Sequence, residues 1–494
     1  MIETTDKIIN EAALQNAINR FRERGIILPT FEQQKNPQTI PLKIKDQLRN
    51  IGLWDINPLN LFRITWKNEP SEKGGLFGGV NFIEIPKEIT GVAARIILLT
   101  GKWFPTGAHK VGAAYGCLAP KIITGGFDPS FHKAVWPSTG NYCRGGAFDS
   151  KLMGTESVAI LPVGMSKERF TWLRDVIGSE VIGTPGSESN VKEIYDKCWE
   201  IRRTRPDCII FNQFDEFGNA AWHYNITGNA IEEVYSKVRT EKSRLAAYVS
   251  ATGSAGTIAA GDYLKTISPL LKIVASEALQ CPTILMNGFG SHRIEGIGDK
   301  HIPWIHNVKN TDMVTAINDE DCMRIFRLFN EQAGIEYLKT LGISRKMTDS
   351  FEMIGISGIA NLLSAIKTAK YFELNEDDLI ITIATDSAGM YNSRLKELNE
   401  DRGGYSTIQA VKDFENCLAG TRTDNMKELN YHDRKAVHNL KYFTWVEQQG
   451  KESEDLNRLW YDNEIWQKMF SQVNRWDELI NEFNEKTGLI NKYL

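Results

Sequence analysis

The 494-residue chain carries 58 Lys plus Arg against 62 Asp plus Glu, a formal charge of −4, with 42% hydrophobic and 24% charged residues. This length and balance suit two packed domains with appendages and argue against disorder, while the lack of a basic excess argues against nucleic acid or an anionic membrane as partner. A small molecule is the default partner, and seven cysteines with no CxxC pair read as reduced thiols rather than a zinc or redox site.

The N-terminus, MIETTDKIINEAALQNAINRFRERG, is polar and helical in pattern and lacks the apolar stretch of a signal peptide. No later segment approaches the roughly 20 apolar residues that span a bilayer, so the cytoplasm is the expected compartment. Residues 1–45 are expected to form a helical extension.

From about residue 95 to 400, short β-rich runs alternate with longer amphipathic stretches, the pattern of βαβ units in a mostly parallel sheet. Strands are expected at 95–100, 133–137, 157–162, 180–184, 208–211, 246–251, 272–276 and 379–384, and helices at 110–121, 167–177, 189–203, 221–238, 257–266, 319–332 and 359–372. The fold class is α/β, two domains with twisted sheets within a core spanning 46–404: a smaller domain at about 100–240, and a larger one at about 241–404 together with 46–99. Residues 405–494 change character, with Trp445, Trp460, Trp466 and Trp476 among many Asn, Glu and Lys, and read as a helical extension with little strand character.

Four polar or glycine-rich stretches fall where strands end and helices begin, the place at which open α/β sheets bind ligands. In FPTGAHKVGAAYG, Lys110 opens an apolar, small-residue helix and is poorly placed as a solvated charge. In WPSTGNYCRGGA, Ser138, Thr139, Asn141 and Tyr142 offer amides and hydroxyls suited to a carboxylate. In YVSATGSAGTIAAG, the small residues Gly253, Ser254, Ala255, Gly256 and Thr257 let backbone amides close on an anion ahead of a helix. That turn has neither the GKS or GKT ending of a nucleotide P-loop nor GxGxxG, which favours a monophosphate. In LIITIATDSAGMY, Asp386 and Ser387 follow a buried strand.

In this order the stretches resemble the fold type II pyridoxal 5'-phosphate enzymes, the group of cysteine synthase, cystathionine β-synthase, threonine dehydratase and the tryptophan synthase β subunit. PTGAHK is similar to the motif that carries the cofactor lysine, STGNY to the loop that binds the substrate carboxylate, GSAGT to the phosphate cup, and TDSAG to the segment facing the pyridine nitrogen. HYNITGNAIEE, HRIEGIG and GISGIANLLSAIK resemble further cysteine synthase segments, although GAHK is closer to tryptophan synthase.

The resemblance implies that Lys110 holds the cofactor as a Schiff base and then acts as general base at the substrate α-carbon. It assigns Asn141 to the cofactor's phenolic oxygen, Ser138, Thr139, Asn141 and Tyr142 to the substrate, Gly253, Ser254, Ala255, Gly256 and Thr257 to the phosphate, and Ser387 to the ring nitrogen. A neutral hydroxyl there favours chemistry at the β-carbon, whereas Asp386 facing the ring would restore full pyridinium character. The implied reaction is β-replacement or β-elimination on a serine- or cysteine-type amino acid through an aminoacrylate. An ammonia lyase or dehydratase, or a silent amino-acid-binding member, are the alternatives. A homodimer is implied, and no metal is expected. His109 can touch the phosphate or simply pack, and Cys143 reads as a small buried residue because no base accompanies it.

Overall fold

The computed structural model describes residues 5–138, 140–165, 167–186, 191–298 and 300–493. Thr139 and the first residues of the helix expected over 189–203 lie outside these described residues.

Runs apolar on both faces become the inner strands of parallel sheets. The larger sheet contains β1 (Phe82–Ile85), β2 (Arg95–Thr100), β7 (Arg244–Ala251), β8 (Lys272–Ala278), β9 (Met313–Ile317), β10 (Asp378–Ala384) and β11 (Met426–Glu428) in the order β1-β2-β10-β7-β8-β9-β11. Central β10 is buried at every residue, and only the edge strands β1 and β11 run antiparallel to their neighbours. The smaller sheet, β3 (Lys133–Pro137), β4 (Glu156–Pro162), β5 (Glu180–Thr184) and β6 (Cys208–Ile210), has the order β5-β4-β3-β6 and is parallel throughout.

Every strand expected from the sequence is present to within two residues at each end; β1, β9 and β11 are additional. β11 is a short strand within the otherwise helical tail: Met-Lys-Glu has no strand signature of its own, yet it pairs Met426 with Thr315 and closes the open edge of β9.

Six helices position the site or brace it: α1 (Glu11–Arg24), α2 (Lys110–Ile123), α3 (Asn141–Leu152), α4 (Ala259–Ile267), α5 (Ile356–Tyr371) and α6 (Ile465–Thr487). The helix expected over 221–238 is interrupted by a wider π turn at His223–Thr227, and that over 167–177 switches to π geometry at Trp172–Ile177, as helices often do beside functional sites.

α1 buries Ala13, Leu14, Ala17, Ile18 and Phe21, the spacing of one helical face, and Phe21 meets Phe483 of α6 edge to face with centroids 5.1 Å apart. The Asp477 carboxylate accepts the amides of Phe31 and Glu32 at 2.6 and 3.0 Å. Trp445 donates its indole N–H to the Ile302 carbonyl at 2.8 Å, and the buried Lys441 amine donates to the carbonyls of Trp304 and His306. The tail is thereby knitted into the core. Among the described residues no helix is long and apolar enough to cross a membrane.

Candidate active site

The loops that follow β2, β3, β7 and β10 converge on one cavity enclosing about 520 Å³, lined by residues that include Lys110, Ser138, Gly140, Asn141, Tyr142, Arg169, Gln213, Gly253, Ser254 and Thr385. After β2 the chain turns through Thr106 and Gly107, both at positive φ, and enters α2 at Lys110. Gly145 brings α3 against this entry, since a Cβ there would lie 2.8 Å from the Val111 backbone.

The half-buried Lys110 amine donates to Ser254 Oγ at 3.0 Å. Burial pushes its pKa down to about 8, because a charged ammonium is disfavoured away from water. Ser254 also accepts from Asn219 Nδ2 at 3.0 Å, and Asn219 donates as well to the Gln213 carbonyl. None of the amides of Gly253, Ser254, Ala255 and Thr257 donates to a backbone carbonyl, and that of Gly256 reaches only Ser254 Oγ at 3.5 Å. Ala255 is held at φ +59°, a conformation costly for a residue with a side chain, and a Cβ on Gly256 would lie 1.9 Å from Asn219 Oδ1. The turn is thus a concavity of donors awaiting an anion, at the entry to α4.

Opposite it, Ser138 Oγ accepts from the Gly140 amide at 3.1 Å and from Gln213 Nε2 at 3.3 Å. Asn141 and Tyr142 begin α3, whose N-terminal residue Gly140 provides no side-chain cap. Asn141 Nδ2 donates to Asp386 Oδ2 at 2.6 Å, which also accepts from Tyr391 Oη at 2.6 Å; Asn141 Oδ1 is buried without a partner. Burial raises the pKa of Asp386. Its carboxylate is turned toward Asn141, Tyr391 and Gly355, away from the cavity.

Ser387 is buried but is not part of the cavity wall; Thr385, two residues earlier, is. Thr385 Oγ1 lies 3.2 Å from Nε2 of the fully buried His109. Burial, then the neighbouring Lys110 charge, hold His109 well below the ordinary histidine pKa, so the ring is neutral and packs at 4.9 Å from His223. Cys143 is fully buried, its thiol bonded to the Gly140 carbonyl and pushed up to about 12 by burial, which removes thiolate character.

The structure therefore brings Lys110, Ser138, Asn141, Tyr142, Gly253 and Ser254 to one cavity, with Ala255, Gly256 and Thr257 in the turn behind it, whereas Ser387 stands back from the wall. Gln213, Asn219, Arg169 and Thr385 were not singled out from the sequence. Isolated polar residues in unremarkable stretches carry no local signal until the sheets bring them together.

The unpartnered amides, the clash that any side chain at Gly256 would meet, and a buried amine facing both loops fit pyridoxal phosphate. The pyridoxal-phosphate dependent enzyme family matches residues 102–337. A probable cysteine synthase of Bacillus subtilis is 28% identical over 302 residues, which is 61% of this chain and 89% of that protein. Cysteine synthase B of Campylobacter jejuni is 29% identical over 242 residues, 49% of this chain and 71% of that protein. Among solved structures, the O-acetylserine-dependent cystathionine β-synthase of Helicobacter pylori matches with a TM-score of 0.53 at 23% identity, over 64% of this chain and 95% of that one. The Entamoeba histolytica O-acetyl serine sulfhydrylase isoform 3 gives 0.55 at 23% identity, over 68% and 93%; both show a shared fold. Sequence relatives, fold and cavity agree: residues 102–337 match the pyridoxal-phosphate dependent enzyme family, and the chain is similar to cysteine synthases in sequence and shares its fold with a cystathionine β-synthase.

Proposed function

We propose that this enzyme carries out β-replacement or β-elimination on a serine- or cysteine-type amino acid, in the manner of a cysteine synthase. The observation that carries the reading is the Lys110 amine, 3.0 Å from Ser254 in the anion cradle and facing the Ser138–Asn141 loop across one cavity.

Bound pyridoxal phosphate supplies an aldehyde for a lysine amine and a ring that accepts electrons from the substrate α-carbon. Lys110 would hold it covalently, with the phosphate on the amides of Gly253, Ser254, Ala255, Gly256 and Thr257 and with Asn141 beside the ring. With a pKa near 8, the released Lys110 amine is substantially neutral in mildly alkaline solution and can take the α-proton. Ser138, Thr139 and Tyr142 would orient the substrate carboxylate, with Gln213 holding the Ser138 hydroxyl in place. Thr385, at the wall where β10 ends, and Ser387, just behind it, present neutral hydroxyls, and Asp386 is occupied by Asn141 and Tyr391. A neutral partner at the ring nitrogen favours departure of a β-substituent over transamination.

The test is product analysis of the holoenzyme with O-acetylserine, with and without sulfide. Cysteine formed in proportion to sulfide supports replacement; pyruvate and ammonia at the same rate in both cases would sink the synthase reading in favour of an ammonia lyase.

A further inference from the structure

A second cleft, of about 820 Å³, opens between the core and the tail, and its walls include Tyr224, Asp262, Asn307, Lys309, Trp466 and Phe470. It shares no wall residue with the active-site cavity. One end of it accepts hydrogen bonds. Asp262 of α4 is only 8% exposed, and its Oδ1 accepts from the side-chain amides of Asn307, at 2.7 Å, and Asn310. Its Oδ2 accepts nothing among the described residues, and Lys265, the nearby ammonium, pairs instead with Asp312 at 2.7 Å. Asn307, itself 7% exposed, has an Oδ1 without a partner. Burial pushes the Asp262 pKa up to about 7, because a carboxylate held from water without a cation is disfavoured.

The other end donates. The Lys309 ammonium reaches Asn463 Oδ1 at 2.8 Å and the Trp460 carbonyl at 3.1 Å, and it has no carboxylate partner among the described residues. Beside it begins α6, 23 residues long and without a side-chain cap. The amides of Ile465, Trp466 and Gln467 donate to no backbone carbonyl, and Asp462 receives only the Glu464 amide ahead of them. Such a helix start attracts negative charge. Between the two ends, Trp466 and the stacked rings of Tyr224 and Phe470, with centroids 4.3 Å apart, supply an apolar wall.

We propose that this cleft binds a free α-amino acid with an apolar side chain as an effector, its ammonium at Asp262 and Asn307, its carboxylate at Lys309 and the start of α6, and its side chain on Trp466 and Phe470. A zwitterion satisfies both ends together, whereas a lone cation would meet Lys309 and a lone anion would meet Asp262; each end then gains a charge-assisted bond. The ring wall favours an apolar side chain, which leaves water on docking there. The amino acid is an effector rather than a substrate because Lys110 is not in this wall. Asp262 stands in the first turn of α4, which starts just after the anion cradle of Gly253 to Thr257, so a ligand held there bears on the cradle from behind.

The experiment titrates the holoenzyme calorimetrically with L-leucine and L-phenylalanine and with the N-acetyl and amide derivatives of each, and repeats the series in Asp262→Asn and Lys309→Gln. At least one of the two amino acids should give a saturable heat, and its N-acetyl form, without the ammonium, and its amide, without the carboxylate, should bind about tenfold or more weakly, the size of one charge-assisted contact. Each substitution should weaken the parent amino acid by about tenfold or more while the visible spectrum still responds to O-acetyl-L-serine as in the unmodified enzyme. Should Asp262→Asn fail to fold, Lys309→Gln, at the half-buried rim, decides alone. Saturation with the amino acid should also change the rate of cofactor loss on dialysis by about fivefold or more. No saturable heat, equal binding of the N-acetyl form, or a heat that survives in Lys309→Gln overturns the site, and an unchanged rate of cofactor loss overturns its role as effector.

Discussion

The side-chain amide of Asn141 donates to the carboxylate of Asp386 across 2.6 Å, joining the start of α3, after a strand of the smaller sheet, to the loop that leaves the larger sheet at β10. Tyr391 donates to the same oxygen at 2.6 Å, so one buried carboxylate oxygen receives two short bonds. The bridge orients Asn141 and keeps the acid beside Ser387 away from the cavity.

Asp386→Asn replaces an acceptor-only group by an amide that must present an N–H to one of two donors. Leaving a buried donor unsatisfied costs about 1–3 kcal/mol, partly offset by removing a buried charge. The variant should melt at a lower temperature than the parent and hold pyridoxal phosphate more weakly, as read by thermal unfolding and equilibrium dialysis. An unchanged melt together with unchanged binding would contradict the role given to the bridge.

Lys110 should capture the cofactor in a pH-dependent way. Its folded pKa lies below that of a free lysine, near 8, so the amine is protonated and unreactive at pH 6 to 7 and becomes neutral as pH rises through 8. The rate at which apoprotein gains the visible absorption of bound pyridoxal phosphate should climb with a midpoint near that value. Lys110→Ala should show no such band at any pH. A rate that keeps climbing toward pH 10, with its midpoint at the ordinary lysine value of about 10.4, would mean that the amine is not buried in solution.

Why so much of this site was legible in the sequence is a matter of where the information resides. Lys110, Asn141 and the turn from Gly253 to Thr257 stand in stretches whose composition is unusual for their position, because an amine at an apolar helix start and a run of small residues after a strand each need a chemical reason. Gln213 and Asn219 look like ordinary polar residues until the segment after β6 carries them against Ser138 and Ser254, in the loops that follow β3 and β7. The expectation for Ser387 shows the same limit at finer grain. Sequence can mark the end of β10 as functional, but which of Thr385, Asp386 and Ser387 faces the cavity depends on backbone twist that only coordinates reveal. β11 was invisible for another reason: a three-residue Met-Lys-Glu run forms a strand only because β9 leaves its edge unpaired.

Gly256→Ala is a small change with a large expected effect. The added methyl would meet Asn219 Oδ1 at 1.9 Å, and Asn219 is fully buried and tied to both Ser254 and the Gln213 carbonyl. The turn must open or Asn219 must leave, and either distorts the anion cradle. Cofactor affinity should fall by tenfold or more with far-ultraviolet circular dichroism unchanged; an affinity within twofold of the parent would remove this turn from the phosphate site.

The tail should matter to the site through Trp445. This indole is fully buried, bonds the Ile302 carbonyl, and packs at 5.4 Å from His301, whose ring lies 5.0 Å from that of Phe214 in the cavity wall. Truncating a buried Trp or Phe to Ala costs about 3–5 kcal/mol, so Trp445→Ala should destabilise the protein by that order. If the tail only adds stability, Phe329→Ala, which breaks a stacked pair with Phe351 in another part of the core, should affect cofactor binding equally. If the tail also braces the wall, Trp445→Ala should weaken binding several-fold more than Phe329→Ala at matched loss of stability. Chemical denaturation combined with cofactor titration distinguishes the two, and equal weakening in both variants would reduce the tail to a scaffold.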